Sequence, residues 1–217
     1  MSSFDEHQQY DEPGLADGDL DADPIAQFSA WLHDAEDAGL RDPNAMVVGT
    51  IEPDGRPSSR TVLLKSLDAG LFAFYTNRSS HKGAALAHEP RVSLLFPWYP
   101  LHRQVRVEGT AALAPDAMSD AYWAGRGRDS LLGAWASEQS EPIGSRAELD
   151  AQQLAVNERF DGVHDVPRPP HWGGYLVTPT SIEFWQGRRA RLHDRFLYER
   201  DGGDTSSGGW TVTRLQP

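Results

Sequence analysis

Between residues 45 and 113 the chain keeps reversing direction. "AMVVGTI" (45–51) is a short apolar run rich in β-branched residues. "PDG" (53–55) follows, where proline presets φ and glycine accepts a positive φ. "SSRTVLLKSL" (58–67) returns, "DAG" turns again, and "LFAFYTN" (71–77) continues. Runs this short and this regularly punctuated predict a meander of antiparallel strands. "RVSLLFPW" (91–98) and "RQVRVEGTAAL" (103–113) add two more. In the second, Gln104, Arg106 and Glu108 alternate with Val105 and Val107, so one face is polar. Three closing strands are expected near 174–186, 191–199 and 210–215, with "DGGDTSSGG" (201–209) as a flexible hairpin tip. About seven antiparallel strands with peripheral helices predict a mainly β (α+β) barrel.

The helices announce themselves by their caps. Asp23-Pro24 predicts a helix that buries Ile25, Phe28 and Leu32 and stops near Gly39. "SSHKGAALAHEP" (79–90) predicts a short helix capped by serine and ended by Pro90. "PDAMSDAYWAGR" (115–126) and "DSLLGAWAS" (129–137) predict two more, and Ser145 with Glu148 forms a capping box for a helix over 146–160. "DVPRPPHW" (165–172) is a proline-stiffened connector. Residues 1–23 carry eight acids and no Lys or Arg, which predicts a mobile arm ahead of a single domain at 24–217.

Charge and composition exclude several classes. The 217 residues hold 32 Asp+Glu against 20 Lys+Arg, a net charge of −12, which argues against a nucleic-acid backbone binder. There is no cysteine, hence no disulfide and no thiolate metal site, and the eight histidines lack metal spacing. No apolar run approaches the ~18–20 residues of a membrane span. The N-terminus has no apolar signal core, so a soluble cytoplasmic protein is expected. Only Lys65 and Lys82 among the basic residues are lysines. An arginine-favouring genome accounts for that; so does a need for a compact ammonium at two positions.

Four clusters carry chemistry. In "WQGRRARLHDR" (185–195), a strand beginning at "RLHDR" would put Arg191, His193 and Arg195 on one face, either a solvated edge strand or an anion-binding pocket wall with a titratable imidazole. In "RTVLLK" (60–65), Arg60 and Lys65 are five apart and would point to opposite faces of a regular strand, serving two ligands or two parts of one. In "YTNRSSHKG" (75–83), hydroxyls and a lysine meet a helix N-terminus, a ready phosphate site without P-loop spacing. In "YWAGRGRDS" (122–130), Tyr122 and Arg126 share a helical face and with Ser130 could hold a second phosphate; taken alone, the spacing favours plain surface helix charge.

Taken together, "RTVLLK", "FYTNRSSHKG", "SLLFPWYPLHRQVRVEG", "DSLLGAWASEQS", "WGGY", "EFWQG", "RLHDRFLYER" and the terminal "RLQP" resemble the pyridoxine/pyridoxamine 5′-phosphate oxidase family from about residue 24 to 217. The resemblance implies an FMN-binding split β-barrel homodimer with the flavin in the subunit interface. It implies that Arg60 and Lys82 bind the FMN phosphate region, with the run Thr61, Val62, Leu63, Leu64 and Lys65 and the residues Tyr75, Thr76, His81, Gln104, Gln139 and Ser140 completing the flavin site. Trp185 and Arg195 would contact the cofactor from the partner subunit. Lys65, Tyr122, Arg126 and Ser130 would hold the substrate phosphate, Arg191 and His193 would line the substrate ring as catalytic residues, and Tyr10 would close over it. The implied activity is oxidation of pyridoxine and pyridoxamine 5′-phosphates to pyridoxal 5′-phosphate, with O2 returning the flavin to its oxidised form and yielding H2O2. The implied alternatives are a flavin oxidase of the phenazine-precursor type and a non-catalytic flavin or pyridoxal-phosphate carrier. Retention of Lys65, Tyr122, Arg126 and Ser130 speaks against the first, and Arg191 with His193 against the second. Three positions depart from the family pattern: His81 stands where arginine is common, Gly127 follows Arg126 where proline is common, and "HQQY" (7–10) keeps the tyrosine without arginines.

Overall fold

The computed structural model describes residues 10, 14–201 and 209–217. Its strands are β1 (Ala45–Ile51), β2 (Pro57–Leu63), β3 (Phe72–Asn77), β4 (Arg91–Trp98), β5 (Arg103–Leu113), β6 (Trp172–Gln186), β7 (Asp194–Arg200) and β8 (Trp210–Leu215). Its helices are α1 (Pro24–Asp37), α2 (His81–His88), α3 (Asp116–Ala124), α4 (Arg128–Ala136) and α5 (Arg146–Arg159). The strands run antiparallel in the order β2-β1-β4-β5-β6-β7-β8, with β3 also paired to β6.

Fifteen-residue β6 organises the sheet. One edge pairs with β5. The other edge is divided: Trp172–Val177 pairs with β3, and Ser181–Gln186 pairs with β7. A register shift falls at Glu108/Gly109 of β5, opposite Pro179, which has no N–H to give the ladder. Gly109 is needed there, because a Cβ would lie 2.2 Å from the Thr178 carbonyl oxygen. Beyond β2, the Lys65 N–H donates to the Ala73 carbonyl and the Ala73 N–H to that of Ser66. Those bonds complete the circuit β2-β1-β4-β5-β6-β3, a barrel split at β6, from which β7 and β8 extend.

The barrel interior is aromatic. Phe72, Phe74, Phe96, Trp98 and Phe184 are buried with Val48, Val105, Val107 and Ile182, and each large side chain contributes about 2–3 kcal/mol on burial. Helix α1 packs against it. Asp23 caps the helix by accepting the Ile25 N–H, and Pro24 fills the first turn. The fully buried stripe is Phe28, Trp31 and Ala35; Ile25 and Leu32, expected inside, pack only at the rim. Trp31 lies edge-on to Phe184, and its outer ring face carries Arg103 at 4.4 Å, which the hydrophobic periodicity did not weigh. A second cluster, Trp123, Leu131, Leu132, Phe160, Val166 and Trp172, joins α3, α4 and α5 to the start of β6.

Ser145 caps α5 as expected, although Glu148 reaches back to the Gly144 N–H rather than to that of Ser145. Residues 14–23, expected within a mobile arm, are tied to β7 and β8. The Leu15 N–H donates to Asp194, Arg214 donates to Asp17, Asp194 and the Leu15 carbonyl, and the Tyr198 hydroxyl donates to the Asp21 carbonyl. The acidic composition that suggested disorder finds Arg214, and Leu15 and Leu20 find apolar cover. The remaining arm residues, 1–9 and 11–13, and most of the expected hairpin tip, 202–208, lie outside the described residues.

Candidate functional site

A cavity of ≈ 710 Å³ opens between β2, β3 and helices α2, α3 and α4. Its lining unites three of the four clusters: Arg60, Thr61, Val62, Leu63 and Lys65; Tyr75, Thr76, His81 and Lys82; Tyr122, Arg126 and Ser130. Gln139 and Ser140 close the rim. Four basic side chains therefore converge, with no carboxylate among the described lining residues, in a chain whose acids far outnumber its bases. Such a volume with convergent polar groups suits a small organic ligand, and this charge selects an anionic one.

The expectation that Arg60 and Lys65 serve opposite faces is corrected. β2 ends at Leu63, and the chain bends as Leu64 bonds to Asn44 and Lys65 to Ala73, which brings both cations to one cavity. Leu64, expected to touch the cofactor, is turned into the core and its N–H is already taken by the Asn44 carbonyl. Arg60 is braced by the Thr50 hydroxyl at 2.6 Å, the Ser58 hydroxyl at 2.5 Å and, more distantly, Glu52 at 3.5 Å.

Lys82 is the most confined of the four, 8% exposed in the first turn of α2. The Ser80 cap sets that turn by accepting the Gly83 N–H. The Lys82 Nζ donates to Gln139 Oε1 at 2.7 Å, Thr76 Oγ1 at 3.0 Å and Ser80 Oγ at 3.3 Å, all neutral oxygens. Burial, helped by the nearby Arg60 charge, brings its pKa down to about 8. A buried ammonium with no carboxylate partner among the described residues suits an anion, and the adjoining helix N-terminus adds its positive dipole end. The loop after α4 is held over it: Gln139 bonds Lys82 and Thr76, and Ser140, at φ 80, accepts the His81 N–H.

At the other end of the cavity Tyr75, Tyr122 and Trp172 form a stack. Tyr75 and Tyr122 are 3.9 Å apart with planes at 5°, and Trp172 lies within 10° of both. Arg126 sits over Trp172 at 4.7 Å, and its Nε is buried without a hydrogen-bond partner among the described residues. The second glycine of "WGGY" makes the stack possible. Gly174 faces Tyr75 across the ladder, and a Cβ there would lie 2.8 Å from the Tyr75 ring and 2.9 Å from the Ala114 Cβ. Gly174→Ala is expected to lower stability by about 1–3 kcal/mol through overpacking. Urea unfolding measures this, and a midpoint matching the wild type would mean that the ring is not confined there.

Gln104, Trp185, Arg195, His193, Arg191 and Tyr10 do not line that cavity. Gln104 on β5, Trp185 on β6 and Arg195 on β7 are successive cross-strand partners, so they form one row across the sheet. The expected strand alternation of Arg191, His193 and Arg195 is corrected. β7 begins only at Asp194, and Ala190 (φ 55) and Arg191 (φ 62) turn left-handed before it. Arg191 and His193 therefore stand on a tight loop ahead of β7, and only Arg195 stands on the strand. Within that loop His193 packs 4.5 Å from Trp185, and Tyr10 rests on His102 at 4.3 Å and near His193 at 5.9 Å. The Arg188 N–H donates to His193 Nδ1 at 3.1 Å, so the neutral ring carries its proton on Nε2. Burial, and then the Arg191 charge, lower the His193 pKa, which favours that neutral form at pH 7.

The sequence reading missed Trp172, Ser58 and Ser137 in the cavity wall. Trp172 was quoted in "WGGY" and placed in a connector, but nothing in its spacing marks it as a platform for Arg126.

Comparison with known proteins fits this geometry. Residues 32–159 match the family model described as pyridoxamine 5′-phosphate oxidase. Residues 172–217 match the one described as the pyridoxine 5′-phosphate oxidase C-terminal dimerisation region. The pyridoxine/pyridoxamine 5′-phosphate oxidase of Rubrobacter xylanophilus is 55% identical over 210 residues, covering 97% of this chain and 94% of the relative. PhzG from Burkholderia lata 383, solved in complex with tetrahydrophenazine-1-carboxylic acid, superimposes with a TM-score of 0.83 at 34% identity over 92% of this chain and 95% of its own. A pyridoxamine 5′-phosphate oxidase-related, FMN binding protein of Nostoc punctiforme shares the fold, with a TM-score of 0.72 at 17% identity over 90% and 98% of the two chains. On these matches, spanning both ends of the barrel and the helices between, the chain belongs to the pyridoxine/pyridoxamine 5′-phosphate oxidase family.

Proposed function

We propose that the protein is an FMN-dependent oxidase that converts pyridoxamine and pyridoxine 5′-phosphates to pyridoxal 5′-phosphate. The observation that carries this reading is the cavity that gathers Arg60, Lys65, Lys82 and Arg126 with no carboxylate among the described lining residues. Two phosphates need two cationic centres, and the cavity offers two: Arg60 with Lys82 beside the α2 N-terminus, and Lys65 with Tyr122, Arg126 and Ser130 beside the stack. The Lys82 ammonium, bonded to neutral oxygens, and the unbonded Arg126 Nε fit phosphate oxygens, so the donor set suits FMN at the first centre and substrate at the second. Thr61, Val62, Leu63, Tyr75, Thr76, His81, Gln139 and Ser140 would line the flavin.

FMN, when bound, supplies the two-electron acceptor, and O2 carries those electrons on as H2O2. The chain's own residues position and orient. Anchoring the substrate by a phosphate remote from the reacting carbon removes much of the entropy of alignment. Arg191 would cover the pyridine ring. His193, with its proton on Nε2, would position the amine or alcohol by a hydrogen bond. Gln104, Trp185 and Arg195 lie on a different surface from the phosphate cavity, which supports a homodimer in which one subunit's row completes the partner's cavity.

The test is anaerobic. FMN-loaded protein mixed with pyridoxine or pyridoxamine 5′-phosphate should bleach in the visible and recover its colour in air. PhzG binds an unphosphorylated tricyclic acid, so tetrahydrophenazine-1-carboxylic acid is the comparison substrate. Bleaching by that compound alone would overturn the substrate assignment, and a flavin oxidised in every case would overturn the oxidase reading.

A further inference from the structure

Glu183 occupies a position that should face solvent. It stands between Ile182 and Phe184, both fully buried in the core, so alternation turns it to the outer face of β6 with Trp185. It is nevertheless only 5% exposed. Two guanidiniums cover it. Arg106, its direct partner on β5, donates from Nη2 to Oε2 at 2.7 Å, and Arg195 on β7 donates from Nε to Oε1 at 2.7 Å. Each arginine has a second tether: Arg106 Nη1 to Glu108 at 2.6 Å, and Arg195 Nη1 to the Gln216 carbonyl at 3.0 Å. No described hydrogen bond takes Arg195 Nη2. The carboxylate thus lies beside the Gln104–Trp185–Arg195 row, bonded to its last member.

We propose that Glu183 is a positioning residue for the flavin, holding the Arg195 guanidinium in one orientation so that its remaining nitrogen is presented beside Trp185. The inference rests on the assignment of Arg195 and Trp185 to FMN. An arginine side chain has many rotamers, and one fixed before the ligand arrives loses less freedom on binding. A buried carboxylate is stable only when well paired, so Glu183 and the two arginines hold one another in place. Burial opposes ionisation of Glu183, but hydrogen bonds from Arg195 and Arg106 outweigh it and keep its pKa below the usual carboxylate range. The anion therefore persists across the neutral range, where a flavin enzyme works.

The experiment is a double-mutant cycle on FMN binding, read by quenching of flavin fluorescence and by the visible flavin spectrum. Glu183→Ala in the wild-type background should weaken FMN binding on the order of tenfold or more, the worth of a charge-assisted hydrogen bond, and shift the flavin bands. In an Arg195→Ala background the same change should add less than about twofold, because the residue it acts through is gone. Equal losses in the two backgrounds would mean that Glu183 acts only through the fold, and would overturn the proposal. So would unaltered binding by Glu183→Ala. If Glu183→Ala does not fold, Glu183→Leu keeps a side chain of similar size without an acceptor, and wild-type affinity and spectrum in that variant would overturn the proposal equally. Failure of the wild type to bind FMN would instead remove the assignment of the whole site, so the two failures are distinct.

Discussion

Lys82→Met is expected to make the protein more stable and to weaken its hold on FMN. Lys82 is buried, bonds only to neutral oxygens, and titrates at about 8 rather than at its usual 10.5. Below pH 8 the lysine is charged in both folded and unfolded chains, and the folded chain bears the full cost of burying that charge. Between about pH 8 and 10.5 the unfolded chain binds more protons than the folded one, so wild-type stability rises with pH through that window. Methionine removes the cost. The apo variant should gain about 1–2 kcal/mol at pH 7, after allowance for the lost hydrogen bonds, and the gain should shrink as pH rises toward 10.5. FMN affinity should fall about 100-fold or more, because the phosphate loses its confined cation. In the wild type, FMN affinity should itself decline above about pH 8, where free Lys82 loses its proton, and that decline should be absent from the variant. Apo thermal unfolding at pH 7 and 10, with flavin titrations across the same range, reads all three. A less stable apo variant that still binds FMN would show that Lys82 serves the fold and not an anion.

Arg191→Ala is expected to cost about 100-fold or more in turnover while leaving FMN bound. Arg191 lies outside the phosphate cavity, on the left-handed loop before β7, so the cofactor's phosphate contacts do not depend on it. Its loss should remove the cover over the substrate ring. It should also lift one of the two influences that depress the His193 pKa, so that the imidazole titrates higher and the acid side of the pH–rate profile moves up. Steady-state kinetics across pH 5–9 and a flavin titration check this. A variant that turns over at the wild-type rate would sink the assignment of this loop to the substrate.

Much of the architecture could be read from local signals because they are chemically explicit. Pro-Asp-Gly, the Ser80 and Ser145 caps, Pro90 and the alternation of Val105 and Val107 each constrain φ, ψ or burial within a few residues, and each falls where expected. The errors have a common origin. Ile25 and Leu32 yielded the core to Trp31 and Ala35 because the barrel's aromatic side chains, not the helix, decide which stripe faces in. The acidic segment at 14–23 looked disordered because its partners, Arg214 and Asp194, are about 180 residues away in sequence. Arg191 and His193 were placed on a strand because two non-glycine residues at positive φ leave no mark in composition.

By itself, the sequence determined the antiparallel barrel class, the caps and turns, and most of the basic and hydroxyl side chains that line the cavity. Those properties follow from side-chain chemistry and from dihedral preferences that act over one to four residues. Only the tertiary structure decided that Arg60 and Lys65 share a cavity, that Lys82 is enclosed among neutral oxygens, that Trp172 carries Arg126, and that a buried Glu183 bonds Arg195. Each of these depends on where a strand stops or which strands become neighbours. Those choices are settled by packing and hydrogen bonding between segments far apart along the chain.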